Sequence, residues 1–174
     1  MSLTRVYLGL GSNSQREQHL CAALDALDAL LEGLRCSPVF ESAPVGISSE
    51  PFYNLVVCGQ TALPLAELDR RLKAIEADNG RYAPQRPPRE LPLDVDVLLY
   101  GELCGDFDGL QLPRAEILHN AFVLWPLALL APELKHPLAA ASFASLWQQA
   151  QIEQQLRPVA FSWRDQALTP DSLL

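Results

Sequence analysis

The sequence predicts an α+β protein in which helices cover a mostly antiparallel β-sheet. Strand-like apolar segments and two amphipathic helices follow each other in the order β-α-β-β-α-β. The chain has 174 residues, of which 49% are hydrophobic and 20% charged, so it is long and apolar enough to form one sizeable core. This order of elements is that of a ferredoxin-like core with its helices packed on the sheet.

The first strand and helix are predicted from residues 6–33. Residues 6–10 indicate a strand and residues 11–13 a turn. Residues 14–17 have the S-x-x-E form of a capping box, so a helix is expected to start there. Leucines at helical spacing give this helix one apolar face: Leu20, Leu24, Leu27 and Leu31. Gly33 is expected to end it.

Two further strands and a second helix follow. Residues 35–40 predict the second strand and residues 54–59 the third, with a loop at residues 46–51. Pro64 suits the first turn of the second helix, and Asn79-Gly80 is expected to terminate it. The apolar stripe of this helix consists of Leu65, Leu68, Leu72 and Ile75.

The remaining elements are less regular. Residues 81–92 carry four prolines and are expected to be irregular, whereas residues 93–100 predict the last strand of the core. After a turn, the sequence predicts a short strand at 110–112, a buried apolar helix at 121–130 and a further helix at 142–150. We expect residues 1–174 to form a single domain, with 138–174 as a C-terminal extension whose structure the sequence leaves open. Phe161 and Trp163 predict that part of this extension packs.

Composition excludes several classes of protein. The formal net charge of −8 argues against a binder of duplex nucleic acid. No apolar run approaches the roughly 20 residues of a membrane span, and the N-terminus lacks a signal-peptide pattern, so a cytoplasmic protein without membrane contact is expected. The four cysteines form no C-x-x-C pair, which argues against a zinc site and favours reduced thiols.

The most informative segment is the strand at residues 93–100. Side chains alternate along a strand, so Asp94 and Asp96 share one face, while Leu93, Val95, Val97 and Leu99 share the other. Two carboxylates on one face repel each other, but a hard divalent cation such as Mg²⁺ binds such pairs and leaves positions open for phosphates. Taken alone, the pair fits a solvated sheet face equally well.

Basic residues are concentrated just before this strand. Six of the 13 Lys and Arg residues fall within 20 positions: Arg70, Arg71, Lys73, Arg81, Arg86 and Arg89. A local basic stretch beside two aspartates in an acidic protein indicates a polyanionic ligand that binds together with a metal. Arg70 and Lys73 are better explained as charges on a helix surface.

The G-x-G at Gly9 and Gly11 is a weak signal for a phosphate-binding loop. It lacks the third glycine and the downstream acidic residue of a dinucleotide site. A tight strand-to-helix turn is the better explanation of these two glycines.

Taken in order, these motifs resemble the 6-hydroxymethyl-7,8-dihydropterin pyrophosphokinase family of the folate pathway. The resemblance covers roughly Val6 to Pro137, and each motif alone is only modestly specific, but the ordered set is hard to obtain otherwise. The matching segments are residues 7–13, 40–46, 51–54, 75–76 with 80–81, 93–101, and 121–127 with 131–134.

The resemblance implies an activity and its cofactors. Members transfer the β,γ-pyrophosphoryl group of ATP to the hydroxymethyl group of a reduced pterin and release AMP, with Mg²⁺ ions bridging phosphates and paired aspartates. By position, Asp94 and Asp96 would hold the metal, and Asp96 would also orient the attacking hydroxyl. The expected partners are the pterin and ATP, and a monomer is expected.

The same resemblance implies the remaining site residues. The pterin would be bound by Ser42, Pro44, Phe52, Asn54 and Phe122. The nucleotide would be bound by Glu76, Arg81 and Arg114, and Asp96 and Arg81 would take part in catalysis. Arg86 and Arg89 are further catalytic candidates, as replacements for family charges if their loop takes another path than in the family. Without the resemblance, Glu76 would be interpreted as a solvated helix end and Phe122 as a core residue.

The chain departs from the family pattern around the nucleotide. The family's tryptophan and its nearer arginine fall on Pro88 and Leu91, and Arg114 and Asn120 replace a histidine and an arginine. Two alternatives therefore stand beside the first interpretation. One is a pterin-binding paralogue with weakened catalysis, and the other is a pyrophosphokinase that acts on a related pterin.

Overall fold

An antiparallel sheet organises the chain in a computed structural model that describes residues 2–43 and 50–174. Its strands are β1 (Thr4–Ser12), β2 (Glu32–Cys36), β3 (Val39–Ser42), β4 (Phe52–Thr61), β5 (Asp94–Tyr100) and, from the C-terminal extension, β8 (Leu156–Val159). Two small hairpins lie apart from it, formed by β6 (Gly105–Phe107) with β7 (Leu110–Leu112) and by β9 (Ser162–Trp163) with β10 (Gln166–Ala167). The helices are α1 (Arg16–Leu30), α2 (Leu65–Asp78), α3 (Ala121–Leu130) and α4 (Phe143–Gln149).

The strand order confirms the predicted fold class. The sheet runs β5-β1-β4-β3-β8. Both β2 and β3 pair with the same edge of β4, at different positions along that strand. Counting β2 and β3 as one broken strand, the core has the order 4-1-3-2, with every neighbouring pair antiparallel. This is the ferredoxin-like arrangement expected from the sequence.

Helices cover both faces of the sheet. On one face, the leucine stripes of α1 and α2 are buried against β1, β4 and β5, and the predicted residues Leu20, Leu24, Leu27 and Leu31 are all in this core. On the other face, α3 and α4 cover Tyr7, Val56 and Cys58. With both faces covered, apolar residues are buried on each side of the central strands, which fits the apolar run of residues 55–58.

The start and end of α1 differ from the sequence prediction. The capping box is absent: α1 begins at Arg16, the residue before it is Gln15 in a left-handed conformation, and no side chain caps the helix. The Ser14 hydroxyl instead contacts the Glu90 carboxylate. The helix ends at Leu30, and Gly33, with φ 65°, lies within β2 instead of terminating the helix.

The predicted second strand at 35–40 is two strands. Ser37 and Pro38 separate β2 from β3, because a proline has no N–H to donate to a ladder. Ser37 keeps the chain attached to β4 there. Its backbone N–H donates to the Val56 carbonyl at 2.8 Å, and its hydroxyl accepts from the Val56 N–H at 2.9 Å.

A bulge changes which face Leu99 occupies. Leu8 of β1 pairs with Val97 and Tyr7 with Leu99, so Leu98 is an extra residue in β5. Asp94, Asp96 and Leu98 point to one cavity, as alternation predicts. Beyond the bulge, Leu99 packs with Leu98 in the core under α3, and the prediction that it shares a face with Val95 is wrong.

The C-terminal extension is ordered around the sheet. β8 adds an edge strand beside β3, and Phe161 is 5% exposed in the core beside α1, which confirms that this part packs. Across the described part of the chain, no helix is both long and apolar enough to span a bilayer.

Candidate active site

A cavity of about 240 Å³ opens where β1, β4 and β5 meet the start of α3. It brings together six of the predicted site residues, although they are far apart in sequence: Ser42, Phe52, Asn54, Asp94, Asp96 and Phe122. Pro44, the remaining predicted pterin contact, lies outside the residues that the structure describes.

Strand register fixes the distance between the two halves of this cavity. Gly11 of β1 pairs with Asn54 on one side and with Asp94 on the other. With strands about 4.7–4.9 Å apart, Asn54 and Asp94 are separated by about 9–10 Å at the backbone. The Asn54 amide and the Asp94 carboxylate therefore lie at the same level of the sheet, on opposite sides of β1.

Close packing at Gly11 leaves little room for a side chain. A Cβ atom there would lie 3.1 Å from the Asn54 Oδ1 atom. Neither Gly9 nor Gly11 has a positive φ, and both lie inside β1, so they form neither the predicted turn nor a phosphate loop. At Gly9 the nearest atom to an added Cβ would be Leu98 Cδ2 at 3.5 Å, which is an ordinary contact.

Asn54 and Ser42 form the polar end of the cavity. Asn54 Nδ2 donates to the Ser42 hydroxyl at 2.7 Å, and both residues are only 6% exposed. Phe40 of β3 pairs with Asn54, which brings the two strands into register there. A buried amide whose orientation is fixed by a hydroxyl suits recognition of a heterocycle edge, because its remaining polar atoms have few alternative partners.

Phe52 and Phe122 supply aromatic walls from different elements. Phe52 begins β4, and Phe122 is the second residue of α3. Both are half-buried and both line the cavity. Phe122 also packs against the core under α3, so it has both the expected core contact and a place on the cavity wall.

Asp94 and Asp96 are each paired with an arginine. Arg81 Nη1 donates to Asp94 Oδ1 at 3.0 Å, and Arg114 Nη2 lies 3.6 Å from Asp96 Oδ1. Burial, followed by the nearby charge of Asp94, raises the pKa of Asp96 to about 7, while Arg114 partly offsets this. The site therefore carries a carboxylate whose charged form is costly, and carboxylates with perturbed pKa values cluster at functional sites.

The carboxylates of the cavity suit a cation whose coordination shell is completed by oxygen atoms of a substrate. No group of three or more His, Cys, Asp or Glu side chains is arranged to ligate a metal among residues 2–43 and 50–174. Two carboxylates are nevertheless what Mg²⁺ uses when phosphate oxygens and water complete its shell. Glu116 adds a third carboxylate to the cavity wall and forms an ion pair with Arg114 at 3.1 Å.

Glu76 is buried behind the cavity and does not line it. The interpretation as a solvated helix end is wrong, because Glu76 is 5% exposed. Its carboxylate accepts from the Val95 N–H at 2.8 Å, from the Tyr82 hydroxyl at 2.7 Å and from Arg81 at 3.2 Å. The structure thus places Glu76 where it holds Arg81 and the start of β5, and not on the wall to which a nucleotide would bind.

The loop at residues 81–92 is irregular, as predicted, and the structure places Arg86 and Arg89 off the cavity wall. Arg86 donates to the Glu90 carbonyl, and its buried Nε is without a partner in the described part of the chain. Arg89 is exposed. The cavity residue from this loop is Leu91.

Asn13 attaches this loop to the end of β1. Its side chain accepts from the Leu91 N–H at 2.6 Å and donates to the Arg89 carbonyl at 2.9 Å, and its own N–H donates to the Leu91 carbonyl at 3.1 Å. The sequence analysis missed Asn13, Leu91 and Glu116 as residues of the site. A buried asparagine directly after a strand was the available signal for Asn13, whereas nothing local distinguishes Glu116.

Comparison with known proteins assigns the chain to a family. The family model described as 7,8-dihydro-6-hydroxymethylpterin-pyrophosphokinase (HPPK) matches residues 7–132. The 2-amino-4-hydroxy-6-hydroxymethyldihydropteridine pyrophosphokinase of Pseudomonas aeruginosa is 41% identical over 140 residues, which are 78% of this chain and 85% of that protein. The enzyme of the same name from Aquifex aeolicus is 32% identical over 139 residues, covering 78% and 86% of the two chains.

Solved structures agree on the fold. Wild-type Plasmodium falciparum HPPK-DHPS superposes with a TM-score of 0.73 at 14% identity, covering 95% of this chain and 50% of that one. This chain therefore corresponds to about half the length of that protein. Together, the family match, the two bacterial relatives and the shared fold show that the chain belongs to the 7,8-dihydro-6-hydroxymethylpterin-pyrophosphokinase family, a family of ATP-dependent transferases in folate biosynthesis.

Proposed function

We propose that this chain transfers pyrophosphate from ATP to 6-hydroxymethyl-7,8-dihydropterin, giving AMP and the pterin diphosphate in folate biosynthesis. One observation carries the proposal. A single cavity holds an amide and hydroxyl pair between two aromatic walls at one end, and a pair of aspartates about 9–10 Å away at the other. These are the contacts that a flat polar ring and a metal-bound triphosphate need.

The ring half of the cavity binds the pterin. Asn54, fixed by Ser42, hydrogen-bonds the polar edge of the ring, and Phe52 and Phe122 contact its faces. Binding at this end directs the hydroxymethyl group across β1, toward the carboxylates of β5. Family resemblance also assigns Pro44 to this half.

The carboxylate half binds the phosphates. Asp94 and Asp96 would hold Mg²⁺, whose bound form neutralises the charge of the transferring phosphates. Asp96, the more central of the two along β5, orients the pterin hydroxyl for attack on the β-phosphorus of ATP, and AMP leaves on the opposite side. The new O–P bond forms as the bond between the α-phosphate oxygen and the β-phosphorus breaks, AMP keeps that oxygen, and the hydroxyl proton is released to water.

Arginines next to the aspartates supply fixed positive charge. Arg81 and Arg114 contact Asp94 and Asp96 directly, so they lie within reach of phosphates bound at that pair. Glu76 contributes to nucleotide binding by holding Arg81 in place. Arg86 and Arg89, our candidates to replace family charges in catalysis, both belong to the neighbouring loop in this structure.

We also propose the partners, the location and the domain organisation of this chain. The partners are the pterin and ATP, with neither nucleic acid nor membrane involved. The chain acts in the cytoplasm as a monomer, and residues 1–174 form one domain that includes the extension from residue 138 onward.

The proposal is tested by an assay of AMP release from ATP, Mg²⁺ and 6-hydroxymethyl-7,8-dihydropterin. Removing one metal ligand with Asp94→Asn is expected to lower the rate by at least about 100-fold. Asp108→Asn is the matched control, because Asp108 is exposed and its φ of 55° suits asparagine. Pterin binding by the wild type, with no AMP above the Asp94→Asn background, would identify a binding paralogue instead of an enzyme.

A further inference from the structure

The segment that enters β8 contacts both walls of the active-site cavity. Gln154, two residues before β8, reaches the start of α3, where its Oε1 accepts from the Ala121 N–H at 2.8 Å. Its Nε2 donates to the Asn120 Oδ1 atom at 3.1 Å. Both polar atoms of the Gln154 amide therefore form hydrogen bonds, and the side chain joins the C-terminal extension to the helix that carries Phe122.

Gln154 completes a helix terminus that is not capped locally. The first N–H groups of a helix have no partner within it, and the residue preceding α3, Asn120, makes no side-chain cap. Gln154 satisfies the first of these groups from 33 positions away in sequence. The next residue is Phe122, whose ring forms part of the cavity wall. The orientation of this first turn decides where that ring lies.

The same segment is anchored to the opposite wall. Leu156 pairs with Ser42, the residue that holds Asn54. Arg157 donates twice to the Glu41 carboxylate, at 3.0 Å from Nε and 2.7 Å from Nη2. Residues 154–157 therefore join the edge of β3 to the start of α3, and the cavity lies between these two elements.

We propose that Gln154 is a positioning residue that fixes Phe122 against the pterin ring and thereby sets the affinity for the pterin. The inference rests on the proposed function for the identity of the ring. It also assigns a role to the extension, since Gln154 lies outside residues 7–132 that match the family model. Gln154 does not line the cavity and acts only through α3.

The test is calorimetric titration of the intact protein with 6-hydroxymethylpterin and, separately, with ATP and Mg²⁺. Gln154→Ala is expected to raise the Kd for the pterin by about 5–10-fold, while the Kd for ATP changes less than about twofold. Gln154→Glu is expected to restore pterin binding, because a carboxylate accepts from the Ala121 N–H at the positive end of α3 and the Asn120 amide can turn to donate. Gln155→Ala is the matched control, since Gln155 is the adjacent residue and is exposed.

The outcomes separate this inference from the proposed function. If wild-type protein and Gln154→Ala bind the pterin equally well, the inference about Gln154 is overturned and the proposed function is not. An equal loss of ATP and pterin binding also overturns it, because that result indicates a general effect on folding. Wild-type protein that binds no pterin overturns both proposals. If Gln154→Ala fails to fold, Gln154→Met keeps the length of the side chain without its amide and has the same expected result.

Discussion

Replacing Asp96 with asparagine should stabilise the metal-free protein at pH 8. Burial and the neighbouring Asp94 raise the pKa of Asp96 to about 7 from the ordinary 3.8, so ionising this group costs more in the folded chain than in the unfolded one. One unit of pKa corresponds to about 1.4 kcal/mol, so the full difference amounts to about 4 kcal/mol. Because an amide is itself costly to bury, we expect Asp96→Asn to recover about 2–4 kcal/mol.

The pH dependence distinguishes this effect from improved packing. The folded protein keeps a proton on Asp96 that the unfolded chain has released, so wild-type stability falls as pH rises from about 3.8 to about 7. The contribution of Asp96 ionisation to the difference between Asp96→Asn and wild type should be largest above pH 7 and should shrink to about a quarter of its full size at pH 4.5, whereas the cost of burying the amide is the same at both pH values. Asparagine does not titrate and has no such dependence.

Urea unfolding at pH 8 and pH 4.5 measures this difference, with metal removed by chelation. A gain of about 2–4 kcal/mol in a chain of this length raises the Tm by roughly 5–15 °C. Glu133→Gln is the control, since Glu133 is exposed and its replacement should have no pH-dependent effect. A variant no more stable than wild type at pH 8, or a gain of equal size at both pH values, would refute the reasoning.

Substitutions at Glu76 and at Gly11, each with a matched variant for comparison, test how the site is held together. Glu76→Ala should lower the free energy of unfolding by about 3 kcal/mol, because it leaves the buried Val95 N–H without its acceptor and removes one of the carboxylates that bind Arg81. Glu76→Gln should cost roughly half as much, and equal losses by urea unfolding would contradict this account. Gly11→Ala should weaken pterin binding by about 10-fold or more, since its Cβ would lie 3.1 Å from Asn54 Oδ1, whereas Gly9→Ala makes only an ordinary contact and should weaken it far less. Calorimetric titration with 6-hydroxymethylpterin measures both glycine variants, and equal affinities would refute the packing argument.

The parts of the fold that were predictable have strong local patterns. The stripe of α2 and the alternation in β5 follow directly from side-chain periodicity, and Asn79-Gly80 ends α2 as expected, with Gly80 at φ 84°. The capping box failed because it is a local pattern with a distant competitor. Glu90, 76 positions away, engages Ser14 and removes it from the helix terminus. Sequence spacing alone does not reveal such a competitor.

The same contrast holds for the site: positions set by local sequence patterns were predicted, whereas positions set by contacts with distant elements were not. Alternation correctly placed Asp94 and Asp96 on one face, but the bulge at Leu98 depends on how β5 pairs with β1, and Leu99 was misplaced for that reason. The position of Glu76 depends on its contacts with Val95 and Arg81, which lie in other elements. Family resemblance identified Glu76 as a site position, whereas its local surroundings suggested only a solvated helix end.

The loop at residues 81–92 departs from the family pattern, and this changes which side chains can supply positive charge at the site. Leu91 occupies the position of a family arginine, lines the cavity with an aliphatic side chain, and is fixed there because Asn13 bonds both its N–H and its carbonyl. Rearranging this loop would break those bonds. In the proposed reaction, positive charge at the phosphates would then come chiefly from Arg81 and Arg114, which contact the two aspartates. Because both arginines are held by buried or half-buried carboxylates, they are available in a fixed geometry, which favours stabilisation of the transferring phosphates without movement of the loop.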